Sequence, residues 1–173
     1  GFQAKFLVFP LFGALAVLAT YYIGRRFASP TAGLVGAWLF ATSPTLLFMI
    51  VSPMSDAPVS GLWGAAFLLA LGSGAWRAIG AGVLMAFVLL IRPNLAPLGA
   101  LVGVLYLMRL RARETRLAAF RDAALFGLFA AAGAVTLAMT NQYLYGSPTA
   151  SGYGRLDVPF SANTAYVNTI PAD

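Results

Sequence analysis

Asp56 is the sole acidic residue between Phe6 and Met108, and it lies in Ser52-Pro53-Met54-Ser55-Asp56-Ala57-Pro58, between two long apolar runs. A lone carboxylate beside a bilayer is a functional position by default. A structural role is equally open: Asp56 can cap a helix that opens near Pro58, where the helix dipole favours a negative charge. Arg92, in Leu90-Ile91-Arg92-Pro93-Asn94, is the second residue of interest. A guanidinium suits a phosphate because its planar fork grips two oxygens at once. Its plainer role is a cation snorkelling at a helix C-terminus. Tyr143, Tyr145, Tyr153 and Tyr166 can stack on a sugar ring, although tyrosines also form the ordinary interfacial belt of membrane proteins. The remaining acids, Glu114, Asp122, Asp157 and Asp173, stand at no spacing that pairs one with Asp56, so two-carboxylate chemistry has no support within this chain.

Composition decides what must position these groups. The chain has 173 residues, 60% of them hydrophobic and 9% charged, with a mean hydropathy of +0.82. A soluble domain carries about 25% charged residues. Cys and His are both absent, which removes disulfides, thiol nucleophiles, Ser/His/Asp triads and imidazole bases. The net charge of +6 does not point to nucleic acid, because the arginines fall between apolar runs rather than along a polar face. The chain starts at Gly1 and ends at Asp173 without a terminating signal, and it reads as an internal piece of a longer protein.

A membrane helix needs about 20 apolar residues, and charges mark its ends. On that rule the chain is all-α, a polytopic integral membrane protein with six transmembrane helices at about 6–24, 31–51, 57–72, 78–91, 93–108 and 123–142. Pro10 falls in the first turns of the first span, and Ser43-Pro44 predicts a kink in the second. The fourth and fifth spans are short, roughly 21 to 24 Å of helix against a hydrocarbon core of about 30 Å. Fusing them into one helix kinked at Pro93 is the alternative. The positive-inside rule prefers two spans: Arg25, Arg26 and Arg77 then share the inner side with Arg109, Arg111, Arg113, Arg116 and Arg121. The arginine block is then a topology determinant that also meets anionic lipid headgroups. Gly99 and Gly103 form a small-xxx-small pair that would let a neighbouring helix approach, unless they are simply glycines of a membrane helix. Residues 143–173 are expected to form an external loop or the start of the next segment. This topology gathers Lys5, Asp56, Arg92, Asn94, Asn141, Tyr153 and Arg155 on the outer face.

Several of these stretches resemble one family. Tyr21-Tyr22-Ile23-Gly24-Arg25-Arg26, the run from Ala32-Gly33 to Ser43-Pro44, Asp56, and Ile91-Arg92-Pro93 are similar to bacterial polytopic glycosyltransferases of the C type. The protein mannosyltransferase-like and aminoarabinose transferase-like members, of the glycosyltransferase family 39 type, are the nearest in pattern. Asn141 to Gly154, with Tyr145-Gly146-Ser147-Pro148 and Gly152-Tyr153-Gly154, resembles a further stretch of that family. The resemblance implies transfer of a sugar from a polyprenyl-phosphate carrier to an acceptor at the outer face of the inner membrane, usually with inversion. It implies a general base on an acid in the first external loop, which this chain does not contain. Asp56 matches the second-loop acid, which positions substrate or helps hold a divalent metal. The expected site is therefore Asp56 as a supporting acid and candidate metal ligand, with Arg92, Asn94, Tyr153 and Arg155 binding substrate. The expected partners are the lipid-linked donor and membrane lipids. A transporter or flippase for a lipid-linked or small polar substrate is the alternative, with Ser43-Pro44 as a candidate helix break. A non-catalytic membrane scaffold, with Asp56 only a cap, is the third.

Overall fold

The computed structural model describes residues 4–52, 54–111 and 116–149. Seven α-helices follow one another: α1 (Ala4–Phe27), α2 (Pro30–Ala41), α3 (Pro44–Val51), α4 (Asp56–Ala70), α5 (Ala75–Ile91), α6 (Ala96–Arg111) and α7 (Arg116–Tyr145), with a 3-10 turn at Pro93–Leu95 before α6. No strand occurs among the described residues, so the all-α expectation holds.

Serine-proline pairs set two of the helix starts. Ser29 caps α2, its hydroxyl accepting from the Ala32 N–H at 3.1 Å, with Pro30 at the first helical position. The pair Ser43-Pro44 breaks the second apolar run. Pro44 has no N–H to offer the Phe40 carbonyl, which instead accepts from the Ser43 N–H at 3.1 Å and the Ser43 hydroxyl at 2.8 Å. The Ser43 oxygen in turn caps α3 through the Leu46 N–H. As a result α2 and α3 are bent by 53°, the expected kink. Ser29→Ala should lower the unfolding free energy by about 1 kcal/mol, measured by denaturation in detergent.

Two helices are long and apolar enough to cross a membrane, Leu7–Phe27 and Arg116–Tyr145, and the bent α2–α3 pair makes a third if taken as one span. This is fewer than six. The reason is length: α4, α5 and α6, with 15, 17 and 16 residues, reach only about 23 to 26 Å. Charges also mark helix ends less sharply than hydrocarbon edges. Arg116, Arg121 and Asp122 are helical, and α7 runs on through Tyr143 to Tyr145, which the expected 143–173 loop included. Because α1 begins at Ala4, Pro10 sits inside it and not in its opening turn.

The chain divides into two compact units, Gly1–Val135 and Thr136–Asp173. In the second, the described part is the end of α7 and the bend after it. Gly146, at φ +72°, stops the helix in the left-handed region that favours glycine, and its N–H bonds the Gln142 carbonyl at 3.0 Å. The Asn141 and Gln142 side chains donate to the carbonyls of Pro148 and Gly146.

In the first unit, successive rods reverse direction. Gly24 meets Gly33 near the α1–α2 turn, while Gly13 meets Ile50 at the far end, so α2–α3 folds back along α1. A Cβ on Gly33 would lie 2.5 Å from the Tyr21 carbonyl oxygen, which is why this hairpin needs glycine. Phe12 adjoins Gly61 and Ala19 adjoins Gly64, setting α4 parallel to α1. Between α5 and α6 the chain turns back sharply. Arg92 is extended (φ −141°, ψ 91°), as a residue before proline tends to be, and Arg109 at the far end of α6 reaches back to the Gly72 carbonyl that precedes α5. The fused, kinked helix is therefore excluded. Gly82 beside Phe126 and Gly133 beside Ala86 set α7 along α5.

The core lies where α4 to α7 meet: Val59, Leu62, Ala66, Ala70, Ala78, Ala81, Met85, Val88, Val102, Tyr106 and Phe126. The outward faces carry exposed Leu7, Leu11, Leu34, Trp38, Leu101 and Leu128, an apolar exterior of the kind that marks a membrane or partner surface. Of the pair Gly99 and Gly103, one faces a neighbouring helix: a Cβ on Gly103 would meet nothing within 4 Å, while one on Gly99 would come within 3.3 Å of Met85 Sδ on α5. The close backbone approaches use Gly33, Gly61, Gly82 and Gly133.

Candidate functional site

Asp56 and Arg92 meet at the end of the first unit where α4 begins and α5 stops. Arg92 Nη1 lies 2.6 Å from Asp56 Oδ1, and its Nη2 donates to Asp56 Oδ2 at 3.0 Å. The guanidinium Nε–H donates to the Ser55 hydroxyl at 2.9 Å. Local sequence produces this arrangement. Pro93 ends α5 and holds Arg92 extended, while Asp56, the first residue of α4, lies where the helix dipole favours an anion. Asp56 does not cap α4, correcting one of the two readings of its role. The capping position belongs to Ser55, whose side chain makes no cap bond and turns to Arg92 instead.

The pair is half-buried, with side-chain exposures of 31% for Arg92 and 24% for Asp56. Three of the five guanidinium N–H groups are engaged by Asp56 and Ser55. Two remain for another acceptor.

Beside the ion pair lies a cavity of about 390 Å³, walled by α1, α2, α4, the 3-10 turn and the start of α6 through Ala16, Phe40, Val59, Trp63, Leu95 and Leu98. Its hydroxyls are turned to backbone: Thr20 donates to the Ala16 carbonyl at 2.9 Å and Ser60 to the Asp56 carbonyl at 2.7 Å. The space is therefore apolar along its walls and charged at the Asp56 end. Such a shape suits an amphipathic molecule with an anionic head.

The other expected residues are scattered. Asn94 is exposed on the 3-10 turn and does not line the cavity. Tyr153 and Arg155, like Glu114, Asp157, Tyr166 and Asp173, lie outside the described residues. Asn141 belongs to the second unit, as do the exposed Tyr143 and Tyr145. Among the described residues no group of three or more acids, His or Cys is placed to hold a metal, and both Asp56 oxygens are engaged by Arg92.

One residue assigned to a loop by its sequence is structural. Asp122, 5% exposed, accepts from the Gly74 N–H at 2.8 Å and pairs with Arg121 at 2.9 Å. Gly74, at φ +118°, turns the chain from α4 into α5, so this carboxylate ties that turn to α7. Asp122→Ala should destabilise the chain by about 1 to 3 kcal/mol by orphaning a buried donor, and Asp122→Asn should cost less because an acceptor remains. Chemical denaturation of the two variants in detergent checks the order.

No protein-family model, curated protein or solved structure matches this chain.

Proposed function

We propose that the chain is the membrane part of a glycosyltransferase that uses a polyprenyl-phosphate sugar at the outer face of the inner membrane. The observation that carries the reading is the bidentate Asp56–Arg92 pair at the charged end of an apolar cavity. A lipid-phosphate donor has the matching chemistry. Its phosphate can take the two unused N–H groups of Arg92, which would stabilise charge on the leaving group. Its prenyl chain can lie against the apolar walls. Asp56 then orders the acceptor or a divalent cation, and keeps the guanidinium plane fixed. No described residue is assigned as general base.

Six crossings, with α2–α3 counted as one, are part of the same proposal. The reversals of α1, α2–α3, α4, α5, α6 and α7 support it, as does the distribution of charge. Arg25, Arg26, Arg77, Arg109 and Asp122 surround the Gly72 end, opposite Asp56, and the positive-inside rule sends that end to the cytoplasm. The chain has no cysteine, so single cysteines test this directly. In sealed cells, Asn94→Cys should react with an impermeant maleimide, and Ser73→Cys should react only after permeabilisation. The reverse pattern removes the outer-face site.

For activity, full-length protein containing this chain is purified into liposomes and given labelled polyprenyl-phosphate sugar and a membrane-extract acceptor pool. Sugar transfer by the wild type is expected, and a folded full-length protein that transfers nothing overturns the reading. The break between α2 and α3, with Phe40 lining the cavity just before it, favours a second reading: a transporter, whose binding sites are often built at broken helices. That protein would move the intact lipid-linked substrate between leaflets without cleaving the sugar.

A further inference from the structure

The opposite end of the first unit is built differently from the Asp56 end. Arg26 at the close of α1, Arg77 in the first turn of α5 and Arg109 in the last turn of α6 line one cavity of about 310 Å³, together with Tyr106 and Asp122. A second cavity, about 530 Å³, shares Arg26, Arg77 and Gly72 with the first and adds Arg25 and Tyr22. Four guanidinium groups thus converge on two joined spaces.

One acid stands among them, and it is already committed. Asp122 is held by Arg121 and by the Gly74 N–H. Arg25, Arg26 and Arg77 have no hydrogen-bonding or ionic partner among the described residues, while Arg109 donates to the Gly72 carbonyl and lies 5.5 Å from the Tyr106 ring centre. Tyr106 itself is 2% exposed and stacked on Phe126, and its hydroxyl has no hydrogen-bond partner. A buried donor without an acceptor, in the wall of a cavity lined by the unpartnered Arg26 and Arg77 and by Arg109, is a site shaped for an anion.

The neighbouring residues indicate where that anion comes from. Phe27 follows Arg26 and Trp76 precedes Arg77, and both are exposed. An aromatic beside an arginine at the end of an apolar helix is the pattern of the headgroup layer.

We infer that the joined cavities between Arg26, Arg77 and Arg109 bind the phosphate group of an anionic lipid headgroup on the side of the membrane away from Asp56. This site is independent of the proposed transfer reaction. Removing Asp56 should not affect it.

The test places the full chain in nanodiscs of phosphatidylcholine with increasing phosphatidylglycerol, and reads retained lipid by native mass spectrometry together with thermal stability. Wild type should retain phosphatidylglycerol and gain stability with its mole fraction. The Arg26→Gln/Arg77→Gln variant should bind it about ten- to a hundredfold more weakly, the loss expected for charge-assisted hydrogen bonds. Tyr106→Phe should also weaken retention without lowering stability in pure phosphatidylcholine, which a purely structural hydroxyl would not do. Millimolar inorganic phosphate supplies the second arm. Displacement of phosphatidylglycerol by it supports a phosphate site and assigns the site to soluble phosphates. Equal loss on Arg116→Gln, which lies outside both cavities, would reduce the effect to general surface charge and overturn the proposal, as would retention unchanged in the Arg26→Gln/Arg77→Gln variant.

Discussion

Exchanging the charges of Asp56 and Arg92, by Asp56→Arg with Arg92→Asp, should recover most of the stability that Asp56→Asn or Arg92→Ala loses, yet leave the proposed sugar transfer abolished. The two single variants, Asp56→Asn and Arg92→Ala, each break a half-buried bidentate pair. An exposed pair contributes up to about 1 kcal/mol, and breaking a fully buried one costs about 3 to 5 kcal/mol. At exposures of 24% and 31% the expected loss is about 1 to 3 kcal/mol. The exchanged pair restores the Coulombic attraction. It forfeits roughly 0.3 to 1 kcal/mol, because a cation then sits at the N-terminus of α4. Chemistry responds otherwise. If Arg92 faces the leaving phosphate, a carboxylate in its place repels that group, and transfer should fall by at least about 10² to 10³, the range for losing one preorganised charge-stabilising donor. Denaturation in detergent and transfer rates on the same preparations separate the two effects. Recovery of both stability and transfer by the exchange would make the pair a strut and remove it from the mechanism.

That Asp56 and Arg92 share one end of the bundle was legible in the sequence, because it depends only on counting reversals; that they form an ion pair was not. With the run between Arg77 and Arg92 treated as its own rod, both residues fall at the same end. Pro93 and the distribution of arginines were enough to choose that count. The kink at Ser43-Pro44 was legible for a local reason, the missing proline N–H. What stayed hidden depended on three-dimensional register. The sequence does not show that Ser55 turns its hydroxyl from its own helix to Arg92, since a serine before a helix ordinarily caps it. Asp122 looked like one more charge in a basic loop, because its partner, the Gly74 N–H, is 48 residues distant. The Gly99 and Gly103 spacing left two readings open because small residues permit close approach without causing it, and only Gly99 lies against another helix. Asn94, placed beside Arg92 by sequence alone, sits outside the cavity because the 3-10 turn carries it to the surface, and Tyr153 and Arg155 fall beyond the described residues.

Gly61→Leu should be the most damaging single substitution between α1 and α4, the two helices that wall much of the cavity. A Cβ at Gly61 would lie 2.5 Å from the Phe12 carbonyl oxygen and 3.3 Å from its carbon. Both are backbone atoms of α1, so no side-chain rotation relieves the clash. The helices must separate. That matters for function because α1 supplies Ala16 and Ala19 to the cavity and α4 supplies Val59, Ser60 and Gly64. Gly61→Ala should cost about 1 to 3 kcal/mol, typical of overpacking in a tight interior, and the larger leucine should cost more and weaken donor binding as the walls part. Gly103→Ala is the control. With no atom near its Cβ position, it should be neutral or stabilising by up to about 1 kcal/mol through helix propensity. Unfolding midpoints in detergent for the three variants, with transfer measured beside them, test the geometry. A Gly61→Ala chain as stable as Gly103→Ala would show that α1 and α4 do not touch backbone to backbone, and the cavity drawn between them would lose its wall.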